Sequence, residues 1–327
     1  MNYAQYFKLL ASSAAPDSEL DEEMANTLYG AFFDGGMPEL EMGAFVAFLH
    51  ARRTTLYELL GLQRAFQQRV TQLKVPRQDV RPVVVPAYGA TFTQPNLTAL
   101  LALILKRFEI PVLIHGSLEG QGGMATAYVL RALQVMPSAS ASQAQQALEH
   151  DLLAFVPTAA LSAGVAELMS LRARLGLSSK GYSVPLLLDP FAGEALLLAP
   201  ALSDEQAALL SHYCQTTAQR ALVFLGAEGE AFVNPLRRPG LELFVNGSST
   251  KLFDEEKTPS QAATRLASNA DVAVTAAWIK QALAGELPLP HPLCNQLACC
   301  LYGSGYAPDM HQAKAIAAMS LGNLMVA

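Results

Sequence analysis

Charged residues are few in this chain. Only 15% of its 327 residues are Asp, Glu, Lys or Arg, while 51% are hydrophobic. So apolar a chain has a sizeable core to bury and is not disordered. The formal charge is −6 and the pI is near 5.5. That balance excludes a protein that coats nucleic acid with its whole surface, where a pI above about 9 is usual; a local basic face remains open. Cysteine is also scarce. Cys214, Cys294, Cys299 and Cys300 form no paired C-x-x-C spacing, which argues against a zinc site. The missing disulfide framework fits a reducing cytosol. The segment "CNQLACC" reads as a buried helix face lined by small residues. The first residues lack a basic stretch followed by an apolar one, so they do not read as a signal peptide. No apolar run of about 18 residues is present to cross a membrane. These absences lead to the expectation of a cytoplasmic protein with no membrane partner.

The hydrophobic pattern changes near residue 80. Residues 1–75 read as a small all-helical domain. Asp17 or Ser18 is the expected cap of a helix that Asp34-Gly35-Gly36 stops. Pro38 suits the first turn of the next helix, where Met42, Phe45, Val46 and Leu49 make one apolar stripe. Thr55 to Glu58, "TLYE", fits a capping box for a third helix running to about Leu73. Residues 80–327 read as a larger α/β domain. "PVVVP" (82–86), "PVLIH" (111–115), "LLAFVP" (152–157), "EALLLAP" (194–200) and "ALVFLG" (221–226) are short apolar strands. Helices 96–108, 124–134, 163–176 and 204–219 alternate with them, and the helix around 160–180 is expected to join the N-terminal domain. The alternation predicts a mostly parallel sheet flanked by helices. The tail from Gln261 is again helical.

Basic residues are unevenly placed. Residues 1–51 hold Lys8 alone, whereas 52–81 hold Arg52, Arg53, Arg64, Arg69, Lys74, Arg77 and Arg81 against Glu58 and Asp79. Arg172, Arg174 and Lys180 form a second group, and Arg237-Arg238 a third. They are a solvated face or a surface for a polyanion. By contrast, the stretch "PVLIHGSLEGQGGMATAYVL" (111–130) has the strand, glycine-rich turn and helix start of a phosphate cradle, yet no Lys or Arg at all.

The order of these parts, with "DGGMPELEMGAFVAFLHARRTTLYEL" (34–59), "VLRALQ" (129–134) and "ACCLYGSG" (298–305), resembles the anthranilate phosphoribosyltransferase family and the related pyrimidine nucleoside phosphorylases. Within that family it is similar to a divergent, YbiB-like branch associated with nucleic-acid binding. The resemblance implies a homodimer formed through the helical domain. It also implies a phosphate site, and there the chain departs from the pattern. The family's "GTGGD" loop falls on Pro86–Ala90, where Gly89 survives; its helix start falls on Asn96 and Thr98. In the second loop His115 and Gly116 are kept and Ser117 replaces an asparagine. The family's cations fall on Ile114, Leu118 and Gly123. Its magnesium-binding Asp-Glu pair falls on Ala231-Phe232, with Glu228 and Glu230 nearby. Its substrate arginine falls on Ser178.

Two functions remain at this point, with a protein-binding regulatory or assembly role as a third. One is a catalytically degenerate scaffold, with no catalytic residue and no metal, that binds DNA or RNA without sequence preference. Its candidate contacts are Arg64, Lys74, Arg77, Arg81, Arg172, Arg174, Lys180, Arg237 and Arg238, with Tyr88 and Phe92 as stacking candidates. Gly89, Asn96, Thr98, His115, Gly116 and Ser117 would then be a vestigial phosphate loop. The other is a glycosyl or phosphoribosyl transferase with an altered site, using His115, Asn96, Thr98, Glu228 and Glu230. Only this second function calls for magnesium.

Overall fold

The computed structural model describes residues 2–11, 20–120, 122–177, 185–256 and 271–323. In chain order these form α1 (Tyr3–Ala11), α2 (Glu22–Phe33), α3 (Glu39–Ala51), α4 (Leu56–Gln67), β1 (Val83–Ala87), α5 (Thr98–Arg107), β2 (Val112–Gly116), α6 (Thr126–Ala132), α7 (Ala141–Asp151) and β3 (Leu153–Pro157). There follow α8 (Thr158–Leu161), α9 (Ala163–Arg174), β4 (Leu196–Ala201), α10 (Asp204–Thr217), β5 (Ala221–Leu225), β6 (Leu241–Val245), β7 (Ser248–Phe253), α11 (Val272–Ala284), α12 (His291–Gly303) and α13 (Met310–Asn323).

The chain divides into two compact units, one of residues 1–72 with 158–190, the other of residues 73–157 with 191–327. The first is helical. Asp21 caps α2 by accepting the Met24 N–H at 2.8 Å. The cap is therefore Asp21, and the expected Asp17 and Ser18 lie outside the described residues. Pro38 is the N-cap of α3 and not a first-turn residue. The capping box at α4 forms as expected, Thr55 and Glu58 satisfying each other's backbone N–H. Helix α4 stops at Gln67, short of Leu73. A Cβ on Gly61 would lie 2.2 Å from the Glu22 carbonyl oxygen. This glycine is what lets α4 lie against α2.

The second unit is a seven-stranded sheet in the order β3-β2-β1-β4-β5-β6-β7. The first five strands are parallel; β6 and β7 close the far edge as an antiparallel hairpin. Every residue of β1, β2 and β4 is buried, which explains why these strands read as unbroken apolar runs. Val83, Val85, Ile114, Leu198 and Phe224 face a core completed by α5, α6, α11 and α12. Helix α10 packs on β4 and β5 and buries Leu210, Tyr213 and Cys214. The chain runs from β1 outward to β2 and β3, then crosses back to β4 on the other side of β1. The strand order therefore reverses between β1 and β4, the place where open α/β sheets form crevices outside the carboxyl ends of their strands.

Candidate functional site

Three turns meet beyond those carboxyl ends, following β1 (88–97), β2 (117–120 and 122–125) and β5 (226–233). The first two are stitched together where Thr91 and Met124 exchange backbone hydrogen bonds of 3.1 and 2.8 Å. The kept His-Gly has a steric reason: a Cβ on Gly116 would sit 1.9 Å from the Ala87 carbonyl oxygen, so only glycine fits beside β1.

The centre of the site is the Glu230 carboxylate, 1% exposed. Its Oε2 accepts Thr126 Oγ1 at 2.7 Å, Asn96 Nδ2 at 3.2 Å and Thr98 Oγ1 at 3.2 Å. Asn96 is held in turn, its Oδ1 taking the Thr98 N–H at 3.1 Å and its Nδ2 reaching Thr126 Oγ1 at 3.0 Å. Burial pushes the Glu230 acid above its ordinary value, and the bonds from Thr126, Asn96 and Thr98 and the facing Gly89 N–H pull it part of the way back. Oε1 has no partner of full hydrogen-bond geometry, and a Cβ on Gly89 would come within 2.8 Å of it. Gly89 therefore makes room for a carboxylate of the same chain.

Glu228 serves the same loop from outside. Its Oε2 accepts the Phe92 N–H, and its Oε1 accepts the Thr93 N–H at 3.2 Å and the Thr93 hydroxyl. Ala231 and Phe232 have no exposed surface. Gln296 of α12 locks this segment, donating to the Ala231 carbonyl at 2.9 Å and accepting the Val233 N–H at 3.0 Å.

His115 is fully buried on β2. Its Nδ1 lies 2.8 Å from the Tyr88 hydroxyl and its Nε2 has no partner. Burial drops its pKa to about 3, so the imidazole is neutral over the physiological range. Ser117 bonds within its own turn, donating to the Glu119 carbonyl at 2.9 Å and taking the Glu119 N–H at 3.1 Å.

Of the vestigial-loop residues expected from sequence, Gly89, Asn96 and Thr98 gather around Glu230. His115 pairs with Tyr88, and Gly116 and Ser117 shape the neighbouring turn. Thr126 and Gln296 were not singled out in the sequence; neither spacing nor a motif marks a threonine in a first helical turn, or a glutamine in an apolar helix, as partners of residues distant along the chain.

The basic candidates do not form a free stripe. Arg64 pairs with Glu23 and Glu22, Arg77 with Asp79 and Glu109, Arg81 with Glu194, and Arg238 with Glu256. Arg52 and Arg69 are likewise held by Glu58 and Asp34. The excess of positive charge along residues 52–81 is thus largely cancelled by acids, most of them distant in sequence. Lys74, Arg174 and Arg237 are exposed and have no carboxylate within 4.0 Å among the described residues. Arg172 lies on α9; Ser178 and Lys180 fall outside the described residues.

No family model matches the chain. Its fold is that of a phosphoribosyltransferase. Anthranilate phosphoribosyltransferase from Thermus thermophilus superposes with a TM-score of 0.76 at 20% identity, covering 98% of this chain and 95% of that one. The Saccharomyces cerevisiae enzyme in complex with PRPP and Mg gives 0.70 at 12% identity, covering 98% and 94%. In sequence, YbiB of Escherichia coli is 31% identical over 309 residues, 94% of this chain and 96% of its own length. Anthranilate phosphoribosyltransferase of Methylocella silvestris is 25% identical over 320 residues, 96% and 90%. The chain belongs to the anthranilate phosphoribosyltransferase family, consistent with its YbiB-like branch.

Proposed function

We propose that this protein is a catalytically degenerate member of its family, a homodimer that binds nucleic acid through the phosphate backbone and largely without sequence preference. One observation carries the loss of catalysis. Where the loops of a transferase must grip a magnesium–diphosphate sugar, this chain offers a buried carboxylate whose Oε2 is already taken by Asn96, Thr98 and Thr126. No Lys or Arg lies between Pro82 and Leu105 or between Pro111 and Leu130. A diphosphate brought here meets carboxyl groups and no cationic clamp.

Magnesium does not fit either. A hard cation needs several oxygen ligands. The positions that the family resemblance assigns to its acid pair are Ala231 and Phe232, both inside the core. Among the described residues, no three His, Cys, Asp or Glu side chains are grouped to hold a metal ion.

Binding of a polyanion is supported by the exposed Lys74, Arg174 and Arg237. The arginines paired with exposed carboxylates add to it, because a phosphate can exchange for a water-screened acid at little cost. The dimer is supported by α3. This helix is apolar around most of its circumference, yet Leu40 is 83% exposed, Ala47 and Ala51 are exposed, and a side chain at Gly43 would meet nothing within 4 Å. A helix with apolar residues on every side ordinarily lies inside an assembly.

Fluorescence anisotropy with short DNA and RNA oligonucleotides over a salt series tests the binding. Expected is affinity at low salt that falls steeply as salt rises; no binding at low salt, or a flat salt dependence, refutes it. Calorimetry with PRPP and magnesium tests the loss of catalysis. Magnesium-dependent uptake would restore the alternative of an altered transferase, which the gathering of Asn96, Thr98, Thr126 and Glu230 at one point favours.

A further inference from the structure

We propose that the Phe92–Thr93 segment is an anion seat and that Glu228 is its resident occupant, a tethered carboxylate that keeps small oxyanions out. The seat is a property of the loop itself, whether or not the protein binds nucleic acid.

The donors come first. Two consecutive backbone N–H groups, Phe92 and Thr93, point the same way, and the Thr93 hydroxyl joins them. Successive N–H groups converging on one point make a concave seat of positive partial charge, suited to a carboxylate or a phosphate. Both oxygens of Glu228 are used in this contact, one by Phe92 and the other by Thr93. No arginine or lysine shares the carboxylate among the described residues, so the seat is built from neutral donors alone.

The tether comes next. Glu228 has φ 52° and ψ 25°, the left-handed region that a residue with a side chain adopts rarely, and Gly229 follows at φ 85°. A glycine would take that backbone without strain. A glutamate there holds its carboxylate over a loop 136 positions away in sequence. The turn itself is fixed on both sides, by Gly226 N–H on the Ala201 carbonyl and by Ala227 N–H on the Phe232 carbonyl at 2.8 Å. The occupant is thus delivered by a rigid support at an effective concentration that a dissolved anion cannot match.

An ordinary strut between two loops is the competing account, and it differs in one respect. A strut leaves nothing behind when removed, whereas an occupied seat, once vacated, accepts an outside anion. The test is calorimetry of the full chain with inorganic phosphate, comparing the wild type, Glu228→Gly, and Glu228→Gly combined with Thr93→Val. Glycine suits the left-handed turn, so this change empties the seat without straining it. Far-UV circular dichroism and Trp278 fluorescence confirm the fold. Expected is phosphate uptake by Glu228→Gly at least about tenfold tighter than by the wild type, with the gain lost in the double variant. Equal uptake by wild type and Glu228→Gly, or none by either, overturns the seat. A 5′-phosphorylated dinucleotide in place of phosphate distinguishes a nucleic-acid phosphate from the free ion as the better guest. Should Glu228→Gly not fold, amide exchange at Phe92 and Thr93 in Glu228→Gln decides. About tenfold faster exchange supports the occupied seat, and unchanged exchange overturns it.

Discussion

Two buried ionisable side chains near the ends of the parallel strands pull stability in opposite directions with pH. His115 is pushed down to about 3 from an ordinary 6.5, so the unfolded chain takes up a proton that the folded chain refuses. The stability linked to it is complete above pH 6.5 and is lost as pH falls toward 3, at up to about 1.4 kcal/mol per pH unit. Glu230 is pushed up, so its contribution is complete below the ordinary 4.5 and is lost as pH rises through the folded value. Urea unfolding should show both. His115→Gln flattens the loss of stability between about pH 6 and 4. Glu230→Gln, which keeps an acceptor for Thr126, Asn96 and Thr98, gains on the wild type as pH rises above the ordinary 4.5. Parallel pH profiles for wild type and variant would refute the assignment in either case. The four cysteines belong to this scale as well. All are buried, and burial raises Cys214, Cys294 and Cys300 to about 12, so they are packing residues without thiolate chemistry.

At the scale of elements, legibility in the sequence followed how local the cause was. The parallel strands β1 to β5 are found where apolar runs place them, because a strand buried on both faces needs no alternation and shows none. The capping box of α4 is local and was readable. The β6–β7 hairpin is invisible to apolar runs, although Asn246-Gly247 at φ 51° and 78° is the turn signal that marks it. Its strand β7 is polar and exposed over four residues, so hydrophobic runs could not reveal it. Helix α7 was also missed, being largely polar with only Ala144 and Leu148 buried. The contact of α2 with α4 gives a prediction at this scale. Gly61→Ala drives a methyl group into the Glu22 carbonyl and the Ala25 side chain, so it should cost about 1–3 kcal/mol in chemical denaturation. A neutral result would mean that the two helices separate easily.

At the scale of the whole molecule the question is what the surface meets. Placing a charge on the outer side of α3 by Leu40→Glu should convert a dimer to a monomer in size-exclusion chromatography with light scattering, with little change in helix content. A wild type that is already monomeric refutes the dimer. Arg237→Ala should weaken oligonucleotide binding evenly across sequences and lower the salt slope by about 1. An unchanged slope removes Arg237 from the interface. No helix among the described residues is long and apolar enough to cross a membrane.

The sequence by itself determined the parallel sheet, the helical start and the shortage of cations in the glycine-rich loops, since composition and short-range pattern are properties of the chain alone. It also carried the family likeness. Only the tertiary structure decided what surrounds each charge. Glu109 and Glu194 neutralise arginines that looked free in a linear count, and Glu228 and Glu230 were brought into the loops that lack a cation. Electrostatic energy depends on distance in space and on burial, and the number of residues between two charges fixes neither.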